Sequence, residues 1–110
     1  MAAHLAGRRP SPSREEFVGM LAGEVDEASA VWLWDELQVY YRPRLAPHPD
    51  DDLIEDMPID PDEPEDWVRD YCFRHGIKQR QMSEWPKGLS VTPRHLLRWL
   101  DAERQRLTGR

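Results

Sequence analysis

DPDEPEDWVRDYCFRHGI, residues 60–77, is the stretch on which the reading of this chain turns. Its interior places Trp67, Val68, Tyr71 and Cys72 on one side at helical spacing. Its end, His75-Gly76-Ile77, has the form of a left-handed glycine cap followed by an apolar residue that folds back onto the last turn. Its beginning is a helix start. Asp60 can cap, Pro61 gives up nothing by lacking an N–H there, and Glu63 stands at capping-box distance. Pro64 pulls the start toward Asp62 or Glu63, because deeper in the helix it would remove a needed hydrogen bond. Either way acids crowd the positive end of the helix dipole, where each contributes about 0.3–1 kcal/mol.

Upstream, Leu53, Ile54, Met57 and Ile59 fall at irregular spacing and read as anchors that pin a loop to the core. RLAPHPDDD (44–52) is that loop, with Pro47 and Pro49 favouring extended backbone and three aspartates in contact with water. Before it, Ala30, Leu33, Trp34, Leu37, Tyr40 and Tyr41 form an apolar helical stripe that Pro43 terminates, with Arg42 suited to the negative end. An earlier helix starts at Ser13, which forms a capping box with Glu16 and is followed by Phe17, Met20, Leu21 and Val25. Gly19 and Gly23 either weaken that helix or let a neighbour approach closely, and the two helices are either separate or one kinked rod. Downstream, KQRQMSEWPKGLS (78–90) is a loop with Met82, Trp85 and Leu89 turned inward. The last helix is capped by Thr92, opens with Pro93, and buries Leu96, Leu97, Leu100 and Leu107, with Trp99 at its edge. The fold class is all-α, a small bundle of about four helices with long proline-containing loops. Residues 1–12 read as a flexible tail and 13–110 as a single helical domain.

The 110 residues suffice for one modest core, and five tryptophans supply much of its area. No apolar run approaches the roughly 18 residues that span a bilayer, and the first residues lack the apolar stretch of a secretory signal. One cysteine permits no internal disulfide, which fits a cytoplasmic location. The net charge of −6 is unevenly spread. Residues 50–70 contain eleven acids against Arg69 alone, whereas from Arg74 onward nine bases face only Glu84, Asp101 and Glu103. The plain explanation is attraction between the two halves within one fold. The functional one is a docking face.

Several chemistries lack their parts. Counted from Asp60, a calcium loop would need oxygen at position 5, glycine at 6 and glutamate at 12, where this chain has Pro64, Glu65 and Tyr71. Cys72 and His75 lie one turn apart, but the other histidines are His4, His48 and His95, with no closed zinc set. A thiol–imidazole pair would lack an orienting group, and there is no glycine-rich phosphate loop. The expectation is no metal, no cofactor and no enzymatic activity.

DDDLIEDMPIDPDEPEDWVRDYCFRHGI (50–77), a loop, and then LSVTPRHLLRWL (89–100) resemble the layout of small acyl-carrier-like domains. In that family a loop ends in Asp-Ser-Leu, the next helix is acidic and ends near Phe-Gly-Ile, and a last helix follows. The resemblance implies a helical fold and docking of the acidic helix against basic patches of partner enzymes. It breaks at the attachment residue. Carriers bind phosphopantetheine on the serine, but Asp60 is followed here by Pro61, and no serine or threonine occurs between Ser29 and Ser83. The outline is similar to that of small bacterial proteins that keep the carrier arrangement without its serine.

The resulting expectation is a protein-binding module that engages a basic partner through Asp56, Asp62, Glu63, Glu65, Asp66 and Asp70. An immunity protein or antitoxin that covers a basic toxin, and a structural component of a larger assembly, fit the same charge. Nucleic-acid binding through Arg94, Arg98, Arg104 and Arg106 is opposed by the overall acidity. No membrane partner is expected, and the sequence leaves the oligomeric state open.

Overall fold

The computed structural model describes residues 12–41, 46–57, 59–60 and 62–109. Among them are four α-helices and no strand: α1 (Arg14–Met20), α2 (Glu27–Leu37), α3 (Glu63–His75) and α4 (Pro93–Thr108). Short 3₁₀ turns follow α2 at Gln38–Tyr40 and α3 as Gln79–Gln81. The chain is an all-α bundle. Residues 1–11 of the expected 1–12 tail lie outside the described residues, as do Arg42, Pro43 and Pro61. Pro12, read as part of the tail, is buried.

α1 begins on the Ser13–Glu16 capping box, with both reciprocal bonds present. It is a separate helix. After Leu21 the chain passes through Gly23 at φ +84°, a conformation that side-chain-bearing residues avoid, and α2 starts afresh at Glu27. Close approach is not what Gly19 serves, because a Cβ added there would meet open space. α2 packs on α1 and on α4, and α3 packs on α4. Phe17, Leu21, Leu33, Leu37, Leu53, Leu97 and Leu100 are wholly enclosed. Of the loop anchors, Leu53, Met57 and Ile59 are buried and Ile54 is half-buried. Leu53 is tied down further by its N–H, which donates to the Val91 carbonyl at 2.8 Å.

The loop before α3 is less solvated than its aspartates suggest. Asp51 is buried, and its Oδ2 accepts from Tyr41 Oη at 2.6 Å and from the His48 N–H at 3.1 Å. Pro47 and Pro49 are also buried. The aspartate acts as an internal acceptor that closes the loop onto the end of α2, satisfying donors that burial would otherwise leave unmet.

α3 begins at Glu63, so Pro64 sits within the first two helical positions and costs no hydrogen bond. The expected Asp60–Glu63 capping box does not form. Asp60 Oδ1 instead accepts from the Asp62 N–H at 2.9 Å, and the Asp60 carbonyl accepts from the Glu63 N–H at 2.9 Å. At the other end Gly76 takes φ +66°, and the Ile77 N–H donates to the Cys72 carbonyl at 2.9 Å. α4 is capped by Thr92, whose Oγ1 accepts from the His95 N–H at 3.0 Å. No helix among the described residues is long and apolar enough to cross a membrane.

Candidate functional site

The acidic segment divides into carboxylates that the fold uses and carboxylates that it leaves to solvent. Glu63 Oε1 accepts from Tyr40 Oη at 2.6 Å. Burial, reinforced by Glu63, pushes the Tyr40 hydroxyl up to about 12. The same tyrosine meets Trp67 edge-on at 5.9 Å, which locks the start of α3 onto the end of α2. Asp70 is half-buried. Its Oδ2 accepts from Arg74 Nε and from Trp32 Nε1, both at 2.8 Å, and the Arg74 guanidinium leads in holding its carboxyl below the usual range. Asp66 accepts from Arg69 at 2.8 Å on the exposed surface. Asp62 and Glu65 are exposed, and among the described residues neither side chain has a hydrogen bond or ion pair. Asp56 lies in the turn before α3, half-buried. Five of the six expected site residues thus lie on α3 or at its cap, and two of those five have uncommitted carboxylates.

The basic half behaves differently. Arg94 clasps Asp50 through Nε at 2.8 Å, pairs with Glu24 through Nη1, and donates to the Met20 carbonyl at 3.3 Å. Arg98 lies 3.9 Å from Glu24. Arg104 pairs with Asp26, and Arg106 donates to Glu103 at 2.7 Å and to the Gln81 carbonyl at 2.9 Å. All four arginines weighed for phosphate contact therefore face carboxylates of the chain itself.

A buried polar hub at α4 went unseen in the sequence. Asp101, 4% exposed, accepts from Ser29 Oγ (2.7 Å) and Tyr71 Oη (2.6 Å) on Oδ1, and from the Asp26 N–H (2.7 Å) on Oδ2. Arg104 lies 3.6 Å from the same carboxylate. Burial first, and Asp101 second, push the Tyr71 hydroxyl well above its ordinary value. Asp26 caps α2 without a side-chain bond to that helix, because its carboxylate is given to Arg104. Apart from the Arg104–Asp101 pair within α4, the links run between α4 and α2 or α3, so the hub joins three helices by charge-assisted hydrogen bonds. The signal was in the sequence: Asp101 interrupts the Leu97–Leu100–Arg104 side of α4 with a carboxylate.

A depression of about 630 Å³ beside the hub is lined by Asp26, Arg74, His75, Arg104 and Thr108. Arg104 pairs there with Asp26 and Arg74 with Asp70, although Arg104 Nε is buried without a hydrogen-bond partner, and the depression borders the C-terminal ends of α3 and α4 as well as the N-cap of α2, so the helix dipoles give it no single sign. Cys72 and His75 do not form a pair. Cys72 is buried with its thiol against Met82 Sδ at 3.4 Å, and burial pushes the thiol up, away from the thiolate. The His75 ring meets Tyr71 at 4.4 Å with a tilt of 45°, and burial lowers its pKa. No group of three or more metal-ligating side chains converges among the described residues. No family model, no curated protein and no solved structure matches the chain.

Proposed function

We propose that this chain is a non-catalytic protein-binding module that docks a basic partner surface through the acidic start of α3. The observation that supports this reading is the contrast within one molecule. The arginines of α4 are matched with carboxylates, while Asp62 and Glu65 stand exposed and uncommitted at the positive end of α3. Unmatched charge at an exposed helix start acts over distance. It accelerates encounter with a complementary surface and sets orientation, leaving affinity to a few buried contacts. Glu63, Asp66, Asp70 and Asp56 extend the negative field although their carboxylates have local roles. The carrier-like order of elements supports the same direction of docking without an attached group, since Pro61 stands where the carrier serine would be.

The test is reversal of Asp62, Glu65 and Asp66 to lysine, followed by affinity capture from the native host and identification of what is retained. The native chain should retain a protein with a basic surface in a salt-sensitive manner, and the triple variant should lose it while keeping its helical circular dichroism. Capture that survives reversal, with the fold intact, removes the acidic start of α3 as the docking site.

A further inference from the structure

Between α3 and α4 lies a groove of about 230 Å³ whose walls are apolar: Pro64 and Val68 of α3, Val91 and Leu96 at the start of α4, and the tryptophan pair Trp85 and Trp99. The two indoles meet edge-to-face at 5.3 Å. Trp85 Nε1 donates to the Leu89 carbonyl at 2.9 Å, so its polar atom is spent and its ring is free to act as wall. Only two lining residues are polar, Gln79 and Glu65, and both are exposed. The volume is below the roughly 300–1,000 Å³ of small-molecule pockets and suits one large side chain.

The same α3 turn that supplies the groove wall supplies the uncommitted carboxylate. Glu65 lines the groove one residue after Pro64 and three before Val68, and Asp62 lies one helical turn before it. A side chain seated in the groove therefore lies beside unbalanced negative charge. We propose that this groove takes an aromatic or large aliphatic anchor from a basic segment of a protein partner, one in which lysine or arginine flanks the anchor so that its charge reaches Glu65 and Asp62. This rests on the docking function proposed above and names the contact that supplies its affinity. Anchors of this kind, buried in a pocket and ringed by charge, are where interfaces concentrate their binding energy.

The test uses the full chain, labelled with nitrogen-15, titrated with three five-residue peptides: phenylalanine flanked on each side by two lysines, alanine with the same lysines, and phenylalanine flanked by glutamates. The lysine-flanked phenylalanine peptide should shift the indole N–H signals of Trp85 and Trp99 and the Val68 amide. It should bind about tenfold more tightly than the alanine peptide, the ratio expected from burying one large apolar side chain. The glutamate-flanked peptide should leave the indole signals in place, and Glu65→Lys should reverse the preference between the two phenylalanine peptides. Equal binding of both lysine peptides, with shifts confined to the amides of residues 60–66, overturns the anchor site while leaving charge-led docking intact. A groove that responds to the glutamate peptide as strongly overturns the basic occupant. Indole shifts that depend on protein concentration without peptide assign the groove to a second copy and overturn the proposal, and the absence of any response to the lysine peptides counts against both readings.

Discussion

The N-terminal turn of α3 and the length of α4 carry opposite charge, and the fold treats them in opposite ways. α4 brings its arginines against acids from elsewhere in the chain: Asp50 and Glu24 for Arg94, and Asp26 for Arg104. The first turn of α3 brings acids against almost nothing. Only Glu63 gains a long-range partner there, and Asp66 has one three residues away. The arginines of α4 are matched inside the bundle, but of the eleven acids in residues 50–70 only Asp50 and Asp70 pair with a base from the later half among the described residues. Charge that is matched internally reports on stability, and charge left unmatched at a helix end reports on what approaches from outside.

The largest expected loss is at the hub. Asp101→Ala strands the Tyr71 and Ser29 hydroxyls and the Asp26 N–H in a buried setting and leaves the Arg104 guanidinium to Asp26 alone. It should cost about 3–5 kcal/mol, the usual penalty for removing one member of a buried charged network. Urea unfolding followed by tryptophan fluorescence reads this as a large fall in midpoint. A loss below about 1 kcal/mol would mean that the hub is wetter than its burial implies. Arg94→Ala comes next, at roughly 1–2 kcal/mol, because it cuts three ties at a side chain that is only 21% exposed. The Arg94 guanidinium leads in holding Asp50 below the ordinary carboxylate range, so the same variant should make the Asp50 carboxyl titrate at higher pH than in the native chain by carbon-13 NMR.

A smaller effect belongs to Glu103. Its bond to Arg106, with help from the Ser83 N–H, lowers the carboxyl from 4.5 to about 2. A depressed carboxylate stabilises the fold at pH above its unfolded value and loses that contribution as pH falls through the folded one. Stability should therefore decline between pH 4.5 and 2, and Glu103→Gln should flatten that part of the profile. The arginine is half exposed, so solvent screens the pair and the slope should be shallower than the burial of Glu103 alone suggests.

Much of this architecture was legible because local rules act locally. Ser13, Thr92 and Gly76 mark helix ends through bonds to residues three or four positions away, Pro93 marks one through the N–H it lacks, and the stripes of α2, α3 and α4 follow a period that any window reveals. The start of α3 was legible only to within a few residues, because Glu63 had two possible partners. The near one was a backbone N–H, and the one it takes, Tyr40, is 23 residues away. Asp51, Asp101, Glu103 and Arg104 were invisible as buried residues for the same reason. A charged side chain reads as surface until a distant partner is known, and Asp101 takes its donors from 30 to 75 positions away. The acids of the candidate site were all legible as acids. What the sequence could not supply was which of them the fold had already used.

The smallest effect is expected at the uncommitted carboxylates of α3. Reversing both Asp62 and Glu65 to lysine removes two favourable interactions with the α3 dipole, each about 0.3–1 kcal/mol. It also removes repulsion among Asp60, Asp62, Glu63, Glu65 and Asp66, which crowd one short segment. These contributions oppose each other, neither side chain has a partner to abandon, and the net change in stability should stay within about 1 kcal/mol. Thermal unfolding at low and high salt separates the two: added salt should narrow the gap between native and variant, because both dipole and repulsion are screened at the surface. A loss on the scale of Asp101→Ala would place these carboxylates in the structural half of the division. It would also remove the ground for assigning them to a partner, since residues that hold the helix in place need no other reason to be there.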